Sequence, residues 1–146
     1  MKNINRWLIA LLVLTTLSFW SCQKDDDDDH DFEHPSDVED VEGSDFSRVK
    51  FTERAMERIG IQTAEIIDET HSPSQKIVPY SALLYGPQGQ TWIYLNPEPR
   101  VFVRTVVEVD RIDGDKVYLN NGPPVGTKVA TVGVAEIYGT EFEIGH

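Results

Sequence analysis

The stretch that decides the fold covers residues 78–133 and reads VPYSALLYGPQGQTWIYLNPEPRVFVRTVVEVDRIDGDKVYLNNGPPVGTKVATVG. Short runs rich in Val, Ile, Tyr, Thr and Trp are separated by Gly, Pro, Asn-Gly and Asp-Gly. β-Branched and aromatic residues suit strands, whereas Gly, Pro and Asn suit turns. The alternation therefore predicts a mostly β fold, a small antiparallel sheet, β-roll or barrel.

The side chains of one long run alternate with a period of two. Successive residues of a strand point to opposite faces of the sheet. One predicted face carries Val101, Val103, Thr105, Val107 and Val109, and the other carries Phe102, Arg104, Val106, Glu108 and Asp110. We expect the first face to be buried and the second to be mostly solvated.

Turn residues divide this stretch into further strands. Asp113-Gly114 supplies the positive-φ residue that a tight hairpin needs, and residues 116–120 return with Val117 and Leu119 on one face. Residues 86–89 form the preceding turn. Residues 91–95 and 128–132 are the neighbouring strands.

A helical pattern precedes the strands. Thr52 can cap a helix over residues 52–59, with Glu53 in its first turn, Arg58 in its last and Gly60 as the stop signal. Residues 61–67 then start the first strand, and residues 68–74 form a loop. At the other end of the chain we expect a short helical turn over residues 133–138, ending before Gly139.

The chain of 146 residues has the size of one domain, and its formal net charge of -12 is concentrated near the N-terminus. Residues 23–46 contain twelve acidic residues against one lysine. A block of like charge with few apolar residues stays extended, so we interpret residues 22–47 as an acidic disordered tether and residues 48–146 as the β domain. This acidity makes nucleic acid a poor partner.

Residues 1–21 have the form of a lipoprotein signal peptide. Lys2 and Arg6 precede an apolar run that is too short to span a bilayer, and the single cysteine, Cys22, follows Ser21 at its end. The pattern resembles a bacterial lipobox, which implies acylation of Cys22 and anchoring to the cell envelope. Cleavage by ordinary signal peptidase is the alternative. The periplasmic face is favoured, with the cell surface as the alternative.

We find no catalytic set: no nucleophile motif lies beside a histidine, and no glycine loop has phosphate-binding spacing. The sequence therefore predicts a protein without enzymatic activity or a cofactor. His30 and His34 lie four residues apart among carboxylates, a ligand set that suits Zn²⁺, Cu²⁺, Ni²⁺ or Co²⁺. A solvated spacer that happens to contain histidine is the simpler interpretation.

An ordered series of short motifs resembles one known family. The motifs are Val78-Pro79-x-x-Ala82, Gly89-x-x-Trp92-Ile93-Tyr94, Val103-Arg104, Asp113-Gly114, Gly122-Pro123-Pro124-x-Gly126, Val132-Gly133 and Glu136-Ile137-Tyr138-Gly139. They resemble the membrane-proximal part of periplasmic adaptors, the membrane-fusion proteins of resistance-nodulation-division efflux pumps, and the heavy-metal type in particular. Residues 51–67 resemble a segment near the adaptor N-terminus, through Thr52-Glu53-Arg54-Ala55 and Gly60-Ile61-x-Thr63-Ala64.

The resemblance implies one adaptor domain standing alone. Full adaptors carry a lipoyl-like domain, a helical hairpin and a barrel between these segments, and they build the membrane-proximal domain from both chain ends. Here residues 67–75 are too few for any of these parts. The resemblance therefore implies an accessory or assembly module for metal or drug efflux that contacts a transporter or a full-length adaptor.

Four residues of the β stretch are candidates for partner contact: Trp92, Arg100, Phe102 and Arg104. For Trp92, packing in the core is the favoured alternative. A metal-handling surface or periplasmic lipoprotein that uses its His and Asp tail is the alternative function. A degenerate remnant of an adaptor is a third hypothesis.

Overall fold

The computed structural model of the chain describes residues 34–43, 45–69 and 75–143. The two helices of this part are α1 (Glu53–Ile59) and α2 (Val134–Glu143), and Tyr80–Ala82 forms a short 3-10 turn. Its strands are β1 (Ser36–Asp40), β2 (Ser47–Phe51), β3 (Gln62–Glu65), β4 (Ile67–Glu69), β5 (Gln75–Pro79), β6 (Leu84–Tyr85), β7 (Thr91–Glu98), β8 (Val101–Asp113), β9 (Lys116–Asn121) and β10 (Lys128–Val132). Neither helix of the described part is long and apolar enough to cross a membrane.

The predicted fold class is confirmed, because in the described residues the strands form a curled antiparallel half-barrel accompanied by only two short helices. The strand order is β3-β10-β7-β8-β9-β5-β4, with β2 beside β8, β1 beside β2 and β6 beside β7. The first and last strands of this order are consecutive in the chain and are separated by Ile66 alone. One bent segment therefore connects the two ends of the curl.

The long strand β8 organises this sheet. Its first half pairs with β7 and β2, and its second half pairs with β9. The predicted hairpin is confirmed: Asp113 pairs with Lys116 across a two-residue loop in which Gly114 has a φ of 62°. The turn at residues 86–89 and the strand at Lys128–Val132 are confirmed as well.

Buried side chains form one cluster on each face of the central strands. The interior cluster lies within the curl and consists of Ile66, Val78, Ala82, Leu83, Ile93, Val107, Val117, Leu119 and Val129. The helix-side cluster lies under the helices and consists of Val49, Phe51, Ala55, Tyr94, Phe102, Ala130, Val134 and Ile137. The expectation of one solvated face is thus wrong for the first half of β8, where Phe102 and Arg104 are buried, and right for Val106, Glu108 and Asp110.

Both ends of helix α1 form as the sequence predicts. The Thr52 hydroxyl accepts a hydrogen bond from the Ala55 N–H, and Gly60 ends the helix in the left-handed conformation at a φ of 72°. The following segment differs from the expectation. It divides at Ile66 into β3 and β4, so Asp68 and Glu69 belong to a strand that pairs with β5, not to a loop.

Helix α2 runs past Gly139, where the sequence suggested a stop. Glycine in a helix interior costs about 0.5–1 kcal/mol relative to alanine. Beyond Gly139 the helix buries Glu141 and brings Phe142 against Tyr138. Contacts made by the last turn of the helix outweigh the weak local propensity of glycine.

The β domain also begins earlier than residue 48. Ser36–Asp40, assigned to the tether, forms β1 and pairs with β2 from Ser36 opposite Phe51 to Asp40 opposite Ser47. Ser36 is buried, and Val38 packs against the helix-side cluster while its acidic neighbours Asp37 and Glu39 remain exposed. Backbone pairing lets acidic side chains stay in water, so the charge of this segment does not prevent strand formation.

Candidate functional site

The most distinctive polar feature of the described chain is a buried ion pair between the sheet and α2. Tyr94 of β7 and Arg104 of β8 lie directly opposite each other and therefore share a face. Helix α2 covers this face and places Glu141 above them. Arg104 Nε lies 3.0 Å from Glu141 Oε2, and Arg104 Nη2 lies 3.1 Å from Glu141 Oε1.

Glu141 connects three strands to the helix. Besides three hydrogen bonds from Arg104, two from Nε and one from Nη2, it accepts a hydrogen bond from the Tyr94 hydroxyl and one of 3.3 Å from the Ser47 N–H of β2. Its side chain is only 3% exposed and that of Arg104 only 6%. A buried carboxylate needs this number of partners, because an unpaired buried charge is strongly destabilising.

The environment of the pair also changes the chemistry of Tyr94. Burial raises the pKa of the Tyr94 hydroxyl well above its ordinary value, and the hydrogen bond to the Glu141 carboxylate raises it further. The hydroxyl therefore stays protonated and remains a donor to Glu141 across the physiological range. The three side chains form a structural network.

Aromatic rings surround the guanidinium of Arg104. Its Cζ lies 4.2 Å from the ring centre of Trp92, 4.7 Å from that of Phe46 and 5.1 Å from that of Phe142. Tyr138 continues the arrangement, with its ring centre 6.3 Å from Trp92 and 4.6 Å from Phe142. Cation–π contacts of this kind add attraction beyond apolar burial.

Three of the four predicted contact residues are not surface residues. Trp92, Phe102 and Arg104 are 6%, 0% and 5% exposed, so the interpretation of these side chains as an exposed contact surface is wrong. The physical reason is α2, which covers the face that the sequence pattern assigned to solvent. Core packing, the favoured alternative for Trp92, is confirmed, and Phe102 packs edge-on against Phe51 at 6.1 Å.

Arg100 alone of the four is exposed. It lies in the turn between β7 and β8 and is the one non-glycine residue of the described part with a positive φ, 66°. Its carbonyl accepts a hydrogen bond of 2.9 Å from the Phe51 N–H. The side chain therefore projects from the tip of a firmly held turn.

The predicted lipid and metal residues lie mostly outside the described part. Cys22 and His30 are not among the described residues, and His34 is exposed at their beginning. Within residues 34–43, 45–69 and 75–143, no group of three or more His, Cys, Asp or Glu side chains is arranged to hold a metal ion. Acylation of Cys22 and metal binding by His30 and His34 stay predictions.

Sequence reasoning missed Glu141, Tyr94 and Phe46. One signal for Glu141 was available, because it follows Ile137 by four positions and thus lies on the apolar face of α2. An acidic residue on an apolar helix face predicts a buried basic partner. Arg104, on the predicted solvated face of the longest strand, was the available candidate.

Comparisons with protein-family models, with curated proteins and with solved structures find no match.

Proposed function

We propose that this chain is a lipid-anchored, non-enzymatic module of the cell envelope that contacts an efflux transporter or its full-length periplasmic adaptor. In this role the β domain acts as an accessory or assembly element. The anchor at Cys22 would hold it at the membrane surface.

The observation that carries this proposal is how the two segments that resemble an adaptor share one sheet. The N-terminal segment, residues 51–67, contributes β3 beside β10. The strands at its two ends, β2 and β4, lie beside β8 and β5. The resemblance implies that an adaptor builds its membrane-proximal domain from both chain ends. A sheet in which both segments interleave is what direct joining of those ends would produce.

The position of the join supports the same interpretation. Strands β4 and β5 pair with each other, and only residues 70–74 connect them. In the family the further domains would emerge at this point. Their replacement by a short connection leaves the sheet intact but removes the part that reaches an outer-membrane channel, which favours an accessory role over a bridging one.

The chemistry of the buried cluster fits a binding module better than an enzyme. Glu141 and Arg104 are buried, and the Glu141 carboxylate accepts hydrogen bonds from Arg104, Tyr94 and Ser47, so it is engaged within the fold. Its contribution is to fix α2 on the sheet.

The test is crosslinking of the lipidated protein in its native envelope, followed by mass spectrometry of the captured proteins. We expect an inner-membrane efflux transporter or a full-length adaptor, and less capture from a Cys22→Ser chain, since anchoring raises the effective concentration at the membrane. Capture of neither component by the anchored protein would contradict the proposal.

A matched deletion tests the alternative function in the tail. Deletion of residues 23–33 keeps Cys22 and leaves β1 intact, whereas a deletion extended to residue 46 would remove β1 and disturb the fold. The proposal predicts that partner capture survives the shorter deletion. If capture is lost and Zn²⁺ binding by the envelope-anchored protein is lost with it, the metal-handling function takes its place.

A further inference from the structure

Two clefts of the β domain meet at Arg100. The first, which we call the charged cleft, has a volume of about 630 Å³ and lies between β1, β2, α1 and the turn after β7. The second, which we call the proline cleft, has a volume of about 710 Å³ and lies between α1, β3, the same turn and the start of β10. Arg100 lines both clefts. Each volume falls within the range of roughly 300–1,000 Å³ that is common for small-molecule sites.

The charged cleft presents equal numbers of positive and negative groups. Its cations are Lys50, Arg54 and Arg100, and its carboxylates are those of Asp37, Glu53 and Glu57. All six side chains are exposed. None of them makes a hydrogen bond or an ion pair with another side chain in the part of the chain that the structure describes. Their charges are therefore free to bind a ligand, and they suit one that carries both signs.

The backbone at Arg100 indicates a role for its side chain. The φ of 66° lies in the left-handed region, which disfavours every residue except glycine. The turn is held in this shape, because Asn96 Nδ2 donates hydrogen bonds of 2.7 Å to the Glu98 carbonyl and 2.9 Å to the Val101 carbonyl. Glycine would fit here without strain. Arginine thus places a guanidinium between the two clefts against the local backbone preference, and such strain is typical of functional positions.

The proline cleft offers apolar surface on the other side of Arg100. Its apolar lining consists of Met56, Ile61, Pro97 and Pro99. Two of its polar residues already have partners within the protein: Asn96 bonds to the turn carbonyls, and Glu98 lies 2.8 Å from Arg48. A ligand whose charged group binds Arg100 from the charged cleft can therefore place an apolar chain in the neighbouring cleft.

These features together favour a zwitterionic amphiphile. A phosphate group offers oxygen atoms to several cations at once, and arginine binds it with two parallel hydrogen bonds. A primary ammonium group donates three hydrogen bonds, which matches three carboxylates. An ethanolamine phospholipid carries both groups next to its apolar chains. It also adds no net charge, whereas an anionic lipid would be repelled by a chain with a formal charge of -12.

We propose that the two clefts bind one molecule of phosphatidylethanolamine around Arg100. The phosphate binds the three cations of the charged cleft, the ammonium group binds its three carboxylates, and one acyl chain lies in the proline cleft. This site goes beyond the proposed function, because it needs no transporter. It gives the β domain a contact with the membrane lipid that is independent of acylation at Cys22.

The direct test titrates three soluble probes against the mature chain with Cys22→Ser, so that acylation does not carry the protein to lipid. The probes are dihexanoyl-phosphatidylethanolamine, dihexanoyl-phosphatidylglycerol with the same chains, and glycerophosphoethanolamine with the same headgroup but no chains. Met56 is the only methionine after Met1, so its methyl group gives one NMR signal from the proline cleft. We expect the ethanolamine lipid to shift this signal and that of the Arg100 backbone N–H. Each of the other probes should bind about tenfold more weakly.

Three variants test the site without disturbing the fold. Arg100→Gly suits the turn, and Arg54→Ala suits a helix, so each should weaken binding of the ethanolamine lipid by about tenfold through loss of a charged hydrogen bond. Arg58→Ala is the matched control, because Arg58 is an exposed arginine of the same helix that lines neither cleft. It should bind like the parent chain. Glu57→Gln should weaken binding of the ethanolamine lipid but not of the glycerol lipid.

Each contrary result would overturn a stated part of the proposal. Absence of a Met56 shift would exclude the proline cleft, and equal binding of the glycerol lipid would exclude recognition of the ammonium group. An equal loss in Arg58→Ala would mean diffuse attraction of charge and no defined site. If glycerophosphoethanolamine binds as tightly as the lipid, the ligand is a soluble headgroup compound and the lipid site is wrong.

Discussion

The two buried clusters of this small domain are built on different physical principles. The interior cluster is purely apolar and comes mainly from strands, through residues such as Ile93, Val107 and Val117. The helix-side cluster combines aromatic residues with a buried pair of opposite charges, Arg104 and Glu141. Burial of apolar side chains stabilises a fold wherever the side-chain volumes fill the available space. A buried ion pair is favourable only when one charge meets its partner in the right geometry.

This difference assigns a role to each cluster. The interior cluster stabilises the curled sheet, and many other combinations of apolar side chains could fill the same volume. The ion pair adds little net stability by comparison and instead fixes where α2 lies on the sheet, since any displacement would leave Glu141 buried without its partners. The same helix position completes the aromatic surroundings of Arg104.

The largest expected effect comes from breaking the ion pair on one side. Glu141→Leu leaves Arg104 buried without a counter-charge and should lower the free energy of unfolding by about 3–5 kcal/mol. The double variant Arg104→Met with Glu141→Leu should recover most of that loss, because no charge then remains buried. Urea unfolding of the parent, single and double variants measures this. A double variant as unstable as the single one would show that the pair is a net source of stability.

A second effect concerns Tyr94 and pH. The pKa of Tyr94 is raised above its ordinary value of 10.0 in the folded chain, so above that pH the unfolded state loses a proton that the folded state keeps. Stability is therefore fully present below about pH 10 and should fall as the pH rises further.

The matched variant isolates this contribution from the other tyrosines. Tyr94→Phe should destabilise the chain by about 1.5–3 kcal/mol at neutral pH, because Glu141 loses a hydrogen bond to a charged acceptor. Above pH 10 the difference between the two chains should shrink. Urea unfolding of both chains at neutral and alkaline pH tests the sign, and a difference that grows with pH would refute it.

A third effect tests how tightly Trp92 is held. A Cβ on Gly86 would lie 2.6 Å from the Trp92 ring and 2.5 Å from the Gln90 side-chain oxygen, so Gly86→Ala should destabilise by about 1–3 kcal/mol through overpacking. Gly139→Ala is the control, since a Cβ there meets nothing within 4 Å in a helix interior. It should stabilise by about 0.5–1 kcal/mol. Thermal unfolding that ranks the two variants the other way round would contradict this account of the helix-side packing.

The smallest effect lies outside both clusters, at Arg100. Its φ of 66° is a left-handed conformation that glycine adopts freely, so Arg100→Gly should be neutral or stabilise by up to about 1 kcal/mol. Arg100→Val should be destabilising, because a β-branched residue tolerates this conformation poorly. Chemical denaturation measures the free energy of unfolding of both variants. A clear loss of stability in the glycine variant would mean that the Arg100 side chain itself contributes to the fold.

Local signals in the sequence predicted much of the fold. The Asp113-Gly114 hairpin and the caps of α1 at Thr52 and Gly60 follow from side-chain and backbone preferences within a few residues. They need no knowledge of the rest of the chain. The same local rules predicted the alternation along β8, but not which of its two faces would be covered.

The candidate site was less predictable for the same reason. Arg104 was selected as a contact residue on a solvated face, but its partner Glu141 lies 37 residues away and the helix carrying it was expected to end before Gly139. Strand β1 was not predicted, because its acidic side chains remain in water while its backbone pairs with β2. The charge pattern was informative about solvation and misleading about strand formation.

By itself, the sequence determined the antiparallel β character of the domain, its hairpin turns and the ends of its first helix. These depend on dihedral preferences and on a period of two, which are properties of a few neighbouring residues. Tertiary structure alone decided the burial of Arg104, the full length of α2 and the pairing of β1. Each of these depends on contacts between distant segments, such as the bonds from Tyr94 and Ser47 to Glu141, which span 47 and 94 residues. These contacts contribute to the free energy of folding only when the whole sheet has formed.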